Sequence, residues 1–291
     1  MGRRAFISSV AALAAAGSSF AQDAQGPRLA AIDWAMLETA IAIGQMPVAA
    51  CELIRYRQDE AAEAIPQSVT DLGLRGAPNY ELLQLTRPDL ILSSPFYIQH
   101  EARLRAIAPV LSLPFYVPGE PPVAKTLAAT AALAEAVGQP EVAVRVETEA
   151  QDRIRSLASR LAPFRDRPVS LINIGDSRHL RAFGFDSLFG DMLGRLGLAN
   201  AWTDRTQFSF RAPLPIERLA DAPEARLIIV GQIPVEAREG VARSVLWRKL
   251  PAVAEGRLYQ LPEVNAFGGL PSALRFAEML TGALEAGPQP A

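Results

Sequence analysis

The sequence predicts an α/β protein built as two lobes of similar architecture joined by a single long α-helix. Short apolar runs alternate with amphipathic stretches, the signature of strands and helices in layers with mostly parallel sheets. Two segments read as distant copies of each other. A charged stretch of helical period lies between them. The 291 residues, 49% hydrophobic and 21% charged, suffice for two ordinary cores and exclude a disordered chain.

Residues 1–21 read as an export signal, not as part of the fold. Arg3 and Arg4 open it, an alanine-rich apolar run continues to Ala16, and Ser19-Phe20-Ala21 forms a small-x-small cleavage site. The Arg-Arg-x-Phe arrangement resembles the twin-arginine type, which exports folded proteins. The run falls short of the ~20 residues a membrane span needs. No cysteine follows the small residues, which argues against a lipoprotein anchor. The mature chain is expected to be soluble in the periplasm.

Residues 22–139 form the expected N-terminal lobe, with strands at 29–33, 90–94 and 110–115 and a helix at 124–137. The linking backbone helix is placed at 140–164. Within it Val142, Val146, Ala150, Ile154, Leu157 and Leu161 recur every three or four residues, Pro140 precedes the pattern and Pro163 ends it. About 20 helical residues reach about 30 Å, and one such helix resists hinge bending. An ordinary surface helix inside one domain has the same pattern. Residues 165–291 form the expected C-terminal lobe, with strands at 169–175, 226–231 and 257–262 and a helix at 271–285. The copies are 79–94 with 215–231, continued by 102–115 with 246–262. Each runs helix, turn, strand, helix, strand.

A net charge of −2 provides no positive field for nucleic acid. The lone Cys51, flanked by Ala49, Ala50 and Leu53, forms no internal disulfide and is expected to be buried. His100 and His179 with that one thiol argue against a dedicated zinc or copper cage. The chain lacks GxSxG, GxxxxGK[ST] and GxGxxG motifs. His100-Glu101 begins like a zincin, but Leu104 stands where the second histidine would be. A two-lobed α/β chain without catalytic signatures is expected to bind a ligand in the cleft between its lobes and to be no enzyme.

Three segments narrow that expectation. SVTDLGLRGAPNYELL (68–83) has a Gly-Leu-Arg loop and a Pro-Asn start to a helix. RPDLILSSPFY (87–97) has a Pro-Asp-Leu strand ending in small residues and a tyrosine. DSRHLRAFGFDSLFGDMLGRLGLANAW (176–202) has an Arg-His, a Ser-Leu-Phe helix and a Gly-Leu…Asn-Ala-Trp close. Together these resemble the periplasmic ferrichrome-binding proteins of the helical-backbone substrate-binding class, over nearly all of 28–285. Such proteins deliver iron(III)-hydroxamate siderophores to an ATP-binding-cassette importer. The Pro-Asp-Leu strand marks only the broad class, which includes binders of cobalamin, haem and catecholate siderophores. The Gly-Leu-Arg loop with the following tyrosine is more specific.

The resemblance implies that Arg75 and Tyr97 bind the hydroxamates. It also implies that iron enters only within its chelator, with no separate cofactor. Phe208, Phe210 and Phe267 are candidate apolar walls, with Tyr56, in a loop after Cys51, as a weaker one. The family's two C-lobe tryptophans fall at Ser209 and Asn265. Asn265 is read as a hydrogen-bonding group for a different or larger siderophore backbone. Glu101 and Glu217, each at the start of a short helix, match the acids that dock on the permease. A carboxylate at a helix start is also favoured by the dipole alone. His179 is given a structural role. The protein is expected to act as a monomer. The alternatives are a binder of another iron complex or tetrapyrrole and an exported siderophore-processing enzyme.

Overall fold

The computed structural model describes residues 26–59, 64–204, 206 and 213–288. The expected signal at 1–21 lies outside them.

The chain enters the first lobe through β1 (Leu29–Ala31), whose three residues are all buried. A strand in the middle of a covered parallel sheet has no polar face, hence the unbroken apolar run. Asp33, two residues beyond the strand, caps α1 (Trp34–Ala42), its carboxylate accepting from the backbone N–H of Ala35 (2.7 Å) and Met36 (3.2 Å). Then follow β2 (Ala49–Ala50), α2 (Leu53–Asp59), β3 (Thr70–Asp71) and α3 (Tyr80–Leu85), the last capped by Asn79. Next come β4 (Leu90–Ser93), a 3-10 turn (Pro95–His100), α4 (Glu101–Arg105), β5 (Val110–Ser112) and α5 (Val123–Ala136). The sheet is parallel throughout, in the order β3-β2-β1-β4-β5. Strand order reverses between β1 and β4, which opens a crevice beyond their carboxyl ends.

Helix α6 (Pro140–Arg160) then runs for 21 residues. It ends at Arg160, and a separate 3-10 turn (Ala162–Phe164) carries Pro163, which has no N–H with which to continue the α-helical ladder. Val142 and Ala143 on its first turns lie in the core of the first lobe, and Leu157 near its end lies in that of the second. One helix thus contributes to both cores.

The second lobe contains β6 (Val169–Ile174), β7 (His179–Ala182), α7 (Leu188–Arg195), β8 (Leu214–Pro215), a 3-10 turn (Ile216–Asp221) and β9 (Arg226–Val230). It closes with α8 (Val235–Arg243), α9 (Val245–Lys249), α10 (Pro251–Ala254), β10 (Leu258–Leu261) and α11 (Leu270–Ala286). Its sheet has the order β10-β9-β6-β7-β8, parallel across the first three strands and antiparallel at β7 and β8. The paired segments of the sequence occupy matching places: β1-β4-β5 in one sheet corresponds to β6-β9-β10 in the other. α11 packs against α6 and also against α1 of the first lobe. No helix among the described residues is long and apolar enough to cross a membrane.

Candidate ligand-binding cleft

Loops beyond the carboxyl ends of both sheets face each other across a cavity of about 770 Å³. That volume falls within the usual range for a small-molecule site. Each wall follows from topology. Asp33 and Trp34 follow β1, Glu52 follows β2, Arg75 follows β3, Tyr97 follows β4 and Tyr116 follows β5. From the opposite lobe come Asn173 and Arg181 on β6 and β7, Val230 at the end of β9, and the 263–267 segment after β10.

Arg75 is held from two sides. Its guanidinium lies 3.9 Å from the centre of the Trp34 ring. Glu52 accepts from its Nε (3.0 Å) and from its backbone N–H (3.1 Å). The terminal nitrogens of Arg75 make no hydrogen bond to another described residue. Trp34 is itself fixed, its indole N–H donating to the Cys51 carbonyl at 3.0 Å. Glu52 takes up φ +54°, a left-handed conformation that costs energy for a non-glycine residue.

Tyr97 interrupts its 3-10 turn (φ −111°, ψ 23°) and packs its ring on the cluster beneath β1 and β4. Burial, with a smaller contribution from the Asp33 charge, pushes its phenol up to about 12. The phenol therefore keeps its proton and remains a donor across the physiological range. At the floor, Ser94 Oγ donates to Asp33 Oδ2 (2.7 Å), and burial raises the pKa of this carboxyl. Burial likewise pushes the Cys51 thiol up to about 12, so the cysteine is buried and unreactive.

Across the cleft, Phe267 meets Tyr116 edge to face at 5.3 Å and 73°. Asn265 also lines the cavity, but its amide is engaged by the protein. Its Nδ2 donates to Glu38 Oε1 (3.0 Å) and its Oδ1 accepts from the Phe267 N–H (2.9 Å). Tyr56 is not a wall. It lies on α2, not in a loop, and is 1% exposed, with Trp34 packed edge-on at 5.3 Å between it and Arg75. The helical period turns it into the core of the first lobe. Phe208 and Phe210 fall outside the described residues. Glu101 opens α4 away from the cleft, with Arg105 Nε donating to it at 2.9 Å. Glu217 is exposed in the 3-10 turn before β9 and also lies off the cleft. His179 on β7 bonds Asp176 at 2.9 Å and does not line the cavity.

Sequence reasoning missed Trp34, Tyr116, Arg55, Arg181, Asp33 and Glu263, all of which line the cleft. The usable signal was position: most of these lie just past an apolar run that reads as a parallel strand. Among the described residues the lining holds three carboxylates (Asp33, Glu52, Glu263) and three guanidinium groups (Arg55, Arg75, Arg181), a balanced set. No group of three or more His, Cys, Asp or Glu residues among the described residues is placed to hold a metal ion.

Two matched α/β lobes on one backbone helix, with a cleft between the carboxyl ends of their sheets, define a ligand-capturing protein. Residues 29–264 match the family model for periplasmic binding proteins, and the chain belongs to that family. It is 30% identical over 257 residues to the iron(3+)-hydroxamate-binding protein FhuD of Escherichia coli K12, covering 88% of this chain and 86% of the relative. It is also similar to the structure of the siderophore-binding protein FhuD of Vibrio cholerae bound to Fe3+-Desferal. That match has a TM-score of 0.83 and 26% identity, over 91% of this chain and all (100%) of the other. The iron-uptake substrate-binding protein PiuA of Streptococcus pneumoniae shares the fold, with a TM-score of 0.71 and 19% identity over 89% of this chain and 93% of PiuA.

Proposed function

We propose that this protein is the periplasmic receptor of an ATP-binding-cassette importer and captures iron(III)-hydroxamate siderophores of the ferrichrome type in its interlobe cleft. The observation that carries this reading is the convergence of Arg75 and Tyr97 on one cavity, the arginine with terminal nitrogens that bond no other described residue and the tyrosine with its proton retained. A trihydroxamate fills the six positions around ferric iron. The protein therefore needs no metal ligand and grips from outside, through hydroxamate oxygens of partial negative charge. A planar guanidinium suits several such acceptors, and a phenol adds one donor on an apolar body. Each charge-assisted bond in a partly desolvated cleft contributes roughly 1.5–3 kcal/mol. Phe267 and Tyr116 supply apolar surface for the organic shell.

The balanced lining supports a complex of low net charge. Three hydroxamate anions neutralise one ferric ion, whereas a tris-catecholate complex carries a large negative charge and calls for a clear excess of arginine. No histidine, cysteine or methionine among the described residues lines the cleft, so a haem there would have to take a tyrosine as its axial ligand. In this reading the protein works as a monomer after removal of 1–21, Glu101 and Glu217 pair with permease arginines, and binding involves no turnover.

Titration of the mature protein with ferric desferrioxamine and with ferrichrome, followed by intrinsic fluorescence, tests the proposal. Saturable quenching by at least one of them is expected. Quenching by neither, with a Soret shift on adding haemin, would reassign the cargo.

A further inference from the structure

We propose that Glu38, which does not touch the cleft, is a positioning residue that holds the two lobes in register and thereby sets the cleft's shape. Glu38 lies on α1 of the first lobe and is 1% exposed. Its carboxylate crosses to the start of α11 in the second lobe. Oε2 accepts from the backbone N–H of Gly269 (2.8 Å) and of Ser272 (3.2 Å), and Oε1 from Ser272 Oγ (2.8 Å) and Asn265 Nδ2 (3.0 Å).

The first N–H groups of a helix have no acceptor within the helix, and a side chain at the N-cap position normally supplies one. The N-cap of α11 is Gly269, which has no side chain. Glu38 takes that place from the other lobe and sets a carboxylate at the positive end of the α11 dipole. The two glycines are what this approach requires. A Cβ on Gly268 would stand 2.5 and 2.6 Å from the Glu38 oxygens. One on Gly269 would stand 3.0 Å from the Ala35 carbonyl and 3.2 Å from Thr39 Oγ1.

The same segment is the cleft wall. Asn265, tied to Glu38 by its nitrogen, holds the Phe267 N–H by its oxygen, and both residues line the cavity. Tyr116, from the loop after β5, donates its hydroxyl to the Gly268 carbonyl and meets the Phe267 ring. The latch thus runs from α1 through Glu38 to the wall. With α6 it forms a second tie between the lobes, this one non-covalent and next to the ligand space.

Glu38→Gln is the test. A glutamine keeps the volume but removes the charge at the start of α11 and puts an NH2 in place of one of the two oxygens that accept from Gly269, Ser272 and Asn265. Spin labels at Leu85→Cys and Glu236→Cys, one exposed site on each lobe, report the interlobe distance without ligand, and Cys51 is buried and stays unlabelled. Wild type is expected to give one narrow distribution and E38Q a broad one. The affinity arm rests on the proposed cargo. E38Q is expected to bind ferric desferrioxamine about tenfold more weakly, as when about a tenth of the molecules hold the competent spacing. Gly268→Ala attacks the same latch from the other side, and its effect is expected not to add to that of E38Q. Should E38Q fail to fold, Ser272→Ala removes one donor and is expected to broaden the distances in the same sense. Unchanged distances in whichever of the two folds, or broadened distances with unchanged affinity, would overturn the proposal. Wild type that binds no ferric siderophore would refute the cargo, while the distance arm still decides the latch.

Discussion

Arg75 gives one of its five donors, the Nε–H, to Glu52 and stacks its plane on Trp34, which fixes where the remaining donors point. Replacing it by alanine is expected to weaken ferric hydroxamate binding at least about tenfold, roughly 1.4 kcal/mol, with little change in the melting temperature. Fluorescence titration beside a thermal melt reads both. Glu52→Gln should cost less, about 1 kcal/mol or roughly fivefold, because the guanidinium keeps its ring contact but loses its orienting carboxylate. An E52Q protein that binds as tightly as wild type would remove that role. Tyr97 makes a pH prediction. Its folded pKa, near 12, lies above the ordinary value of 10.0, so between those values the unfolded chain releases the proton while the native protein keeps it. Native stability should therefore fall as pH rises through 10 to 12, and Tyr97→Phe should fall less. Urea midpoints at pH 9 and pH 11 compare the two. An equal loss in both proteins would mean that the phenol is not perturbed as described.

At the scale of elements, α7 shows how packing fixes a wall. Gly190 lies so close to the preceding loop that a Cβ would come within 1.8 Å of the Gly184 carbonyl oxygen. That loop carries Phe183, a cleft residue that packs at 5.1 Å on Phe189 of α7. Gly190→Ala is therefore expected to destabilise the fold by about 3 kcal/mol or more, read from urea unfolding, because backbone cannot move aside cheaply. The longer elements were legible from residues. The apolar runs at 169–175 and 226–231 became β6 and β9, and the three-and-four periodicity from Val142 to Leu157 became α6. The two-residue strands β2, β3 and β8 were not legible, since Ala49–Ala50 or Thr70–Asp71 is too short to display a period. In the cleft, Arg75 and Tyr97 came from a resemblance, whereas Trp34 and Tyr116 needed the strand order, which says whose carboxyl ends meet. Tyr56 was misread because nothing in the local sequence says which way a short helix faces. Asn265 does line the cleft, but its bond to Glu38, 227 residues away, was not legible in the local sequence.

For the whole molecule, two sheets of matched topology present their strand ends to one cavity, while α6 and the Glu38 contact limit how far the lobes can move. Solution scattering is expected to give nearly the same radius of gyration with and without ferric desferrioxamine. A large decrease on binding would show a hinge that this architecture does not predict. The charge balance of the cleft leads to an order of affinity, with uncharged ferric trihydroxamates above the highly charged tris-catecholates. Raising ionic strength should affect the former little, because such a ligand carries no net charge to be screened. Competition between ferrichrome and ferric enterobactin at two salt concentrations measures both effects, and a preference for the catecholate would contradict the account.

The most direct measurement is a crystal structure of the protein with ferric desferrioxamine in the cleft. The terminal nitrogens of Arg75 and the Tyr97 hydroxyl are expected within about 3 Å of hydroxamate oxygens, with no protein atom coordinating iron. A siderophore seated on another surface, or a side chain bound directly to the metal, would contradict the claim.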